Sequence, residues 1–283
     1  MIAESTFIHR LRKTKDLPIP SAPEKLVFSE NGERLLLSFA GNIQIIDAMK
    51  GILLTKIDIR SNNADFFDYN TILTSNDSCL SYISCHDMKI LRKFQAQSSI
   101  ESFCTSSTDI IMVNAEKVYL YDIKSKFPIN TIDVYRSVGT FIDENIFCVS
   151  NISLTKFFDL RNTRGPIKSL SLCDVTGVKF YNSNRRLVFT NSYDNSHTIC
   201  DYMGEKIKTI SLDTMKQGTF TPDGLHYVIN IDGLLRIYNI EDNLFFNGFR
   251  DDELVKSVFD FNPVYEQMAS ASNSLRFWLG VNE

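Results

Sequence analysis

The feature of the sequence that most constrains its fold is a phenylalanine that recurs along the whole chain at intervals of 36 to 41 residues. The members of this series are Phe28, Phe67, Phe103, Phe141, Phe180, Phe220 and Phe261. Self-similarity at a nearly fixed period is typical of repeat architectures, in which each repeat is one supersecondary unit. The series therefore predicts that the 283 residues form seven equivalent units.

Most of these phenylalanines stand before a turn and then a short apolar run. In the sixth unit, residues 220–224 read Phe-Thr-Pro-Asp-Gly and are followed by the apolar run Tyr227-Val228-Ile229. Proline, glycine, asparagine and aspartate mark turns. Apolar runs this short have the length of strands and not of helices. We therefore expect a β-hairpin near the start of each unit.

A second series marks the end of the third strand in each unit. Asp or Asn occupies five of its seven positions, and the two residues before it are apolar in every unit. The positions are Asp47, Ser84, Asp122, Asp159, Asp201, Asn239 and Leu279. The pattern predicts a strand packed between neighbouring sheets and ended by an Asp or Asn turn. A shorter fourth strand follows in most units, as in Ile207–Ile210.

Units of about 39 residues that hold four short strands predict an all-β fold, a seven-bladed β-propeller of WD-repeat type. A pair of β-sandwich domains is the alternative, but sandwiches do not impose one period on the whole chain. The last unit leaves only residues 280–283 for a fourth strand, so we expect the N-terminal segment Thr6–Leu11 to pair there and remove the open edge. Residues 1–15 are then clasp and lead-in, and residues 16–283 are seven units of a single domain.

Composition places the chain among soluble globular proteins. It is 43% hydrophobic, and 34 Asp and Glu against 30 Lys and Arg give a net charge of −4. This balance lacks the broad positive field of sequence-independent nucleic-acid binding, and the apolar runs are far shorter than the roughly 20 residues that span a bilayer. Six cysteines without a C-x-x-C pair or a signal peptide indicate buried thiols in a reducing, intracellular compartment.

The residues that carry catalysis or bind cofactors are sparse. His9, His86, His197 and His226 fall in different units without a partner at metal-ligand spacing. Neither the G-x-S-x-G nucleophile elbow nor a phosphate-binding glycine loop occurs. We therefore expect no enzymatic activity, no cofactor and no metal.

Two basic clusters have both a functional and a structural interpretation. The pair Arg185-Arg186 invites comparison with phosphoinositide-binding propellers, but those carry it in a Phe-Arg-Arg-Gly motif, so a solvated turn is favoured here. The N-terminal series of Arg10, Arg12, Lys13 and Lys15 is suited to phosphates or acidic tails. Its favoured interpretation is the outward face of an edge strand, where charge discourages aggregation.

Protein-binding residues are expected on the loops. Those entering the third strands should ring one mouth of the propeller channel, and they carry Asp77, Asn114, Asn151, Tyr193, Asp194, Asp232 and Asn273. Tyr193 and Arg136 are the candidate hot spots, because exposed Tyr and Arg are enriched at such positions. Arg161 and Arg164 are candidate contacts for a phosphorylated peptide, since Arg pairs bidentately with phosphate. The predicted protein-binding set is Arg136, Arg161, Arg164, Tyr193, Asp194 and Asp232.

The end of the chain carries the most specific motif. Residues 261–263 (Phe-Asn-Pro), 269–271 (Ala-Ser-Ala) and 277–279 (Phe-Trp-Leu) resemble the C-terminal signature of one WD-repeat family. That family is the WD-repeat subunit of the COMPASS histone lysine methyltransferase, which is shared with the cleavage and polyadenylation factor. Residues 158–161 (Phe-Asp-Leu-Arg) resemble the family's Asp-Leu-Arg blades. The chain has no Trp-Asp or Gly-His dipeptide and only one tryptophan, so it resembles a divergent, shortened member.

The resemblance implies a non-catalytic scaffold in the nucleus. Its implied partners are a SET-domain methyltransferase and other COMPASS subunits, with the polymerase tail or 3′-end processing factors as further partners. It implies neither sequence-specific nucleic-acid binding nor membrane binding. Two alternatives stay open: a propeller adaptor of the mitotic checkpoint or mRNA export type, which should lack the C-terminal signature, and a phosphoinositide-binding propeller. Fold by itself does not distinguish among these functions.

Overall fold

The computed structural model describes residues 7–214, 216–241 and 245–280. Within these residues a short helix, α1 (Phe7–Arg10), precedes 28 strands, which form seven four-stranded antiparallel sheets. Seven such sheets in succession along the chain constitute a seven-bladed β-propeller of the predicted class. None of the helices within the described residues is long and apolar enough to span a membrane.

The N-terminal strand is β1 (Leu11–Pro18). Blade 1 contains β2 (Lys25–Phe28), β3 (Arg34–Ser38), β4 (Ile43–Asp47) and β5 (Ile52–Ile57). Blade 2 contains β6 (Asn63–Phe66), β7 (Thr71–Asn76), β8 (Cys79–Ser84) and β9 (Ile90–Gln95). Blade 3 contains β10 (Ser102–Thr105), β11 (Ile110–Asn114), β12 (Val118–Asp122) and β13 (Asn130–Ile132). Blade 4 contains β14 (Val138–Phe141), β15 (Ile146–Ser150), β16 (Thr155–Asp159) and β17 (Lys168–Leu170).

The remaining blades follow the same order. Blade 5 contains β18 (Val175–Tyr181), β19 (Arg186–Asn191), β20 (Ser196–Asp201) and β21 (Lys206–Ser211). Blade 6 contains β22 (Gly218–Phe220), β23 (His226–Ile231), β24 (Leu234–Asn239) and β25 (Phe245–Arg250). A 3-10 helix (Asp252–Leu254) leads to blade 7, which contains β26 (Val258–Phe261), β27 (Gln267–Ala271), β28 (Ser274–Gly280) and β1.

Contacts divide the chain into two compact units. One holds blades 1, 6 and 7 with part of blade 2, and the other holds blades 3, 4 and 5 with the rest of blade 2. Each unit has its own buried apolar clusters between consecutive blades. In the first, Leu35 and Leu37 of blade 1 pack with Leu275 of blade 7; in the second, Leu120 of blade 3 packs with Phe147 of blade 4.

The Asp and Asn series has the turn-forming role that the sequence predicts. In each of these residues Oδ1 accepts a hydrogen bond from the backbone N–H two residues further on, which is an Asx turn. The N···O distances are 3.0 Å for Asp47, 2.7 Å for Asp122, 2.9 Å for Asp159 and Asp201, and 2.8 Å for Asn239. The series therefore ends the third strand of its blades through one repeated local interaction.

The N-terminal strand completes blade 7, but its position differs from the prediction. The strand that pairs with β28 is β1, from Leu11↔Gly280 to Pro18↔Ser274, whereas the sequence pattern favoured Thr6–Leu11. Residues 7–10 form α1 instead, and Thr6 lies outside the described residues. Ile8 and Leu11 are three residues apart, so a helical turn lets both side chains enter the cluster that contains Trp278.

Three of the four basic residues of the N-terminal segment, Arg12, Lys13 and Lys15, are exposed on the edge strand β1, as the sequence predicts, whereas Arg10 lies in α1. Lys13 Nζ lies 2.7 Å from Glu253 Oε2, and Arg10 Nη2 lies 3.3 Å from Glu266 Oε2. Lys15 Nζ donates to the carbonyl oxygen of Lys50 at 2.6 Å. Because these cations already have partners on the protein, the segment offers little unpaired charge to phosphates.

Asn262 joins blade 7 to blade 1. Its side chain is fully buried, and Nδ2 donates to the carbonyl oxygen of Gly32 at 2.7 Å and to Gln267 Oε1 at 2.9 Å. Its Oδ1 accepts the backbone N–H groups of Val264 and Tyr265. Gly32 has a φ of +72°, and a Cβ there would overlap the Asn262 amide, so this contact requires glycine.

Replacing Asn262 with alanine should destabilise the protein by about 2 kcal/mol, because it leaves the buried carbonyl oxygen of Gly32 and two partly buried backbone N–H groups without their partner. The free energy of unfolding, measured by urea denaturation, tests this. The matched control is Asn273→Ala, at an exposed turn of the same blade, which should stay within about 0.5 kcal/mol of the wild type. Equal effects of the two substitutions would show that Asn262 does not hold the blades together.

Candidate protein-binding site

Tyr193 and Asp194 lie in the turn between β19 and β20. Asn191 Oδ1 accepts the backbone N–H of Tyr193 at 2.8 Å and that of Asp194 at 3.4 Å, which fixes the turn. The Tyr193 side chain is 84% exposed. A large amphipathic ring held outward on a fixed turn can bury a substantial area against a partner at small entropic cost.

Arg136 lies in the connection from β13 to β14. Its φ is +44°, and its guanidinium carbon lies 5.5 Å from the ring centroid of Tyr135, which is also exposed. The following Ser137 is buried and donates to Asn114 Oδ1 at the turn between β11 and β12. The loop is thus anchored by a polar contact and presents an aromatic and a cationic side chain to solvent.

The turns at this end of blades 4 and 5 are linked by hydrogen bonds. The backbone N–H of Asp174 donates to the carbonyl oxygen of Ile152 at 2.9 Å, and Asn191 Nδ2 donates to that of Cys173 at 3.0 Å. Ile152 is in the turn that enters β16, whereas Arg161 and Arg164 follow the other end of that strand. The structure therefore separates the Tyr193 turn from the two arginines.

Asp232 lies in the turn between β23 and β24, with a φ of +50°. Its Oδ1 accepts a hydrogen bond from Lys216 Nζ at 2.8 Å, and this bond lowers the pKa of the carboxyl. The Lys216 charge therefore compensates the charge of Asp232 within the protein.

The two arginines line a cavity between blades 3 and 4. The cavity has a volume of about 650 Å³ and is bordered by β13 with residues 133–134, by β16 and by the connection 160–166. Sequence reasoning missed Lys156 of β16 as part of this site, although strand alternation places it on the same side as Phe158, which lines the cavity. Of the predicted set, the cavity brings together only Arg161 and Arg164.

Arg161 forms an ion pair with Asp159, the residue that forms the Asx turn at the end of β16. Its Nε lies 2.9 Å from Asp159 Oδ1, and its Nη2 lies 2.5 Å from Oδ2. The hydrogen bonds from the Arg161 side chain, and then from its backbone N–H, lower the pKa of Asp159 to about 2. The carboxylate occupies the Nε edge of the guanidinium and offsets its charge, so a ligand phosphate would have to bind through the Nη1–Nη2 edge of an Arg161 that is already paired.

Replacing Arg161 with alanine should raise the pKa of Asp159, because the charged donor is lost while the backbone N–H remains. The folded-state pKa lies below that of an unfolded Asp, so the pair stabilises the protein above about pH 4, and this contribution disappears as the pH falls toward 2. NMR of the Asp159 carboxyl carbon across that pH range measures the change in its pKa. The control is Arg164→Ala, which should leave the pKa of Asp159 unchanged. An unchanged pKa in the Arg161→Ala variant would contradict the assignment.

Among the described residues, two histidine and three cysteine side chains are buried. His197 and His226 are buried, His86 is exposed, and the His9 side chain lies outside the description. Burial raises the pKa of Cys85 and Cys200 to about 11 and that of Cys148 to about 12, which disfavours thiolates there. Among the residues that the structure describes, no group of three or more His, Cys, Asp or Glu is placed to hold a metal ion.

The expectation of buried cysteines is wrong for half of them. Cys79 and Cys104 are half-buried, and Cys173 is exposed. Cys173 lies in the connection from β17 to β18, where its carbonyl oxygen accepts from Asn191 while its side chain faces outward. Loops between blades lie at the surface, so a small apolar side chain there is not obliged to enter the core.

Seven four-stranded blades, with an Asp or Asn turn that closes the third strand in five of them, define a WD-repeat β-propeller. The chain is 24% identical over 285 residues to WD repeat-containing protein 82 of Drosophila melanogaster, which covers 90% of each protein. It is 25% identical over 224 residues to Protein ANTHESIS POMOTING FACTOR 1 of Arabidopsis thaliana, covering 73% of this chain and 68% of that protein. No protein family model matches the chain.

Solved structures share the fold at lower sequence identity. The β-propeller domain of Cps50 (Swd1) from Myceliophteria thermophila aligns with a TM-score of 0.78 and 12% identity, over 96% of this chain and 100% of that one. A chain of the mitotic checkpoint complex aligns with a TM-score of 0.77 and 11% identity, over 95% of this chain and 92% of that one. At these identities the similarity concerns the propeller fold alone.

Proposed function

We propose that the protein is a non-catalytic scaffold subunit of a nuclear COMPASS-like histone lysine methyltransferase complex. In this role the propeller binds the SET-domain methyltransferase subunit and links it to transcribing chromatin, while methyl transfer belongs to the partner. The observation that carries the proposal is the similarity to WD repeat-containing protein 82 over 90% of both chains. The C-terminal signature resembling that of the COMPASS WD-repeat subunit supports it.

The position of that signature indicates what it does. Phe261, Asn262, Phe277 and Trp278 are all buried, and Trp278 Nε1 donates to Ser270 Oγ at 2.9 Å inside blade 7. Buried residues of this kind hold a fold together and offer no surface to a partner. Most of the signature therefore serves packing, and we place the proposed recognition of partners on the exposed loops.

The proposed contacts are therefore the exposed members of the predicted set. Tyr193 and Arg136 are the primary contacts, with Asp194 beside Tyr193 and Arg164 at the cavity. Arg161 and Asp232 contribute less, because each is already paired within the protein. A second role in transcription termination and mRNA 3′-end processing, through the polymerase tail or processing factors, belongs to the same proposal, since the family that the signature resembles is shared with the cleavage and polyadenylation factor.

Affinity purification of the tagged protein from its own cells at moderate salt, followed by mass spectrometry, tests the proposal. We expect a SET-domain methyltransferase and further propeller subunits to be recovered. Recovery of kinetochore or nuclear-pore proteins in their place would contradict the COMPASS role and favour an adaptor of the checkpoint or export type. Binding of the protein to phosphoinositide vesicles in a flotation assay would favour the lipid-binding alternative.

The double variant Tyr193→Ala, Arg136→Ala tests the proposed contacts within the same purification. Loss of two hot-spot side chains should reduce recovery of the methyltransferase at least tenfold. The control is Tyr265→Ala, Arg60→Ala, which removes the same two residue types from exposed positions elsewhere. Equal recovery with both variants would show that Tyr193 and Arg136 are not the contacts.

A further inference from the structure

We infer that the cavity between blades 3 and 4 is a docking groove for an extended segment of another protein, in which an acidic side chain stands next to a large apolar one. The groove is built by the lengths of the outer strands. The outer strands β13 and β17 have three residues each, whereas β5, β9, β21 and β25 have six. Because β17 ends its pairing with β16 at Phe157, a space is left beside the last residues of β16.

The floor of the groove is apolar. Ile132, Val134 and Phe158 belong to the buried cluster between blades 3 and 4, and Leu160 packs against it half-buried. The exposed Ile129 and Ile167 directly adjoin the lining residues Asn130 and Pro166 in the chain. An apolar side chain of a partner that entered the groove would extend the existing core outward and would lose water-exposed area.

The walls of the groove carry uncompensated positive charge. Within the described parts of the chain, the side chains of Lys156 and Arg164 have no carboxylate partner. The acidic Asp133 is paired with Lys117 at 2.7 Å, and Arg161 is paired with Asp159. Among the described residues, Lys156 and Arg164 are therefore two cations without an ion-pair partner beside an apolar floor. Charge complementarity selects an occupant that brings a carboxylate or another anionic group to Lys156 and Arg164.

Polar backbone edges favour an extended chain in the groove. The outer strand β13 pairs with β12 on one side only, so among the described strands its other edge has no partner, although the Thr131 N–H already donates to Asn130 Oδ1. An extended segment is the partner conformation that pairs with a strand edge of this kind. The inference concerns the chemistry of this groove and does not depend on the proposed COMPASS role.

Gly165 provides a way to block the groove without disturbing the fold. It lines the cavity, its φ is not positive, and a Cβ at this position meets no atom within 4 Å, so Gly165→Trp places an indole at the groove. Gly41, in the turn between β3 and β4, is equally open, and Gly41→Trp is the matched control. Thermal unfolding of the two variants verifies that both fold like the wild type.

The experiment selects a phage-displayed library of random 12-residue peptides on the wild-type protein alone. The selected peptides should combine Asp or Glu with a large apolar residue, and by fluorescence anisotropy they should bind Gly165→Trp at least tenfold more weakly than Gly41→Trp. Raising the salt concentration should weaken binding, since the charge contacts are at the surface. Peptides without acidic residues, or equal affinity for the two tryptophan variants, would overturn the inference.

A second pair of variants tests the charge directly. Lys156→Glu, Arg164→Glu should abolish binding of the selected peptides, whereas Arg60→Glu, Lys93→Glu makes the same change in net charge at exposed positions away from the groove and should preserve it. Equal loss of peptide binding in both double variants would show that the net charge, and not the position of the charges, causes the effect. That result would overturn the assignment to the groove. Affinity purification of the Gly165→Trp variant from cells separates this inference from the proposed scaffold function. If the variant no longer binds the selected peptides but still recovers the methyltransferase, the groove is distinct from the site of the proposed scaffold function.

Discussion

The pairing of β1 with β28 is the interaction on which the rest of the structure depends, because it joins the two ends of the described chain in one sheet. It supplies the fourth strand of blade 7 and covers what would otherwise be an open edge. It also places Ile8 and Leu11 in the cluster of Trp278. With blade 7 complete, the buried Asn262 amide reaches the Gly32 turn of blade 1.

The residues of the C-terminal signature and the residues that we propose as partner contacts occupy different parts of the structure. Most of the C-terminal signature takes part in packing and in buried hydrogen bonds inside blade 7, and only Pro263 and Leu279 of its nine residues are exposed. Tyr193 and Arg136, which we propose as partner contacts, lie on exposed turns and loops, where side chains are less constrained by the core. A divergent propeller can therefore retain the signature while its partner surfaces change.

The blades could be predicted from the sequence because one local interaction, the Asx turn after the third strand, recurs with the repeat and leaves a visible Asp or Asn. The position of the N-terminal strand could not be predicted because Ile8 and Leu11 enter the core through a helical turn, and because β1 shows no apolar–polar alternation, residues 12–16 all being exposed. The ion pair of Arg161 with Asp159 could have been predicted from the sequence, because the two residues lie two positions apart in the same turn. The groove could not be predicted from the sequence, because it arises from the lengths of strands in two different blades.

Hydrogen-exchange mass spectrometry, on the protein alone and in the complex recovered with it, tests most directly the claim that the signature closes blade 7 while the exposed loops bind partners. The account predicts slow exchange in β26–β28 already in the isolated protein, with new protection in the complex confined to exposed loops such as residues 133–137, 160–166 and 192–195. Fast exchange in β26–β28 of the isolated protein that becomes slow only in the complex would contradict it, because the signature would then be part of the interface.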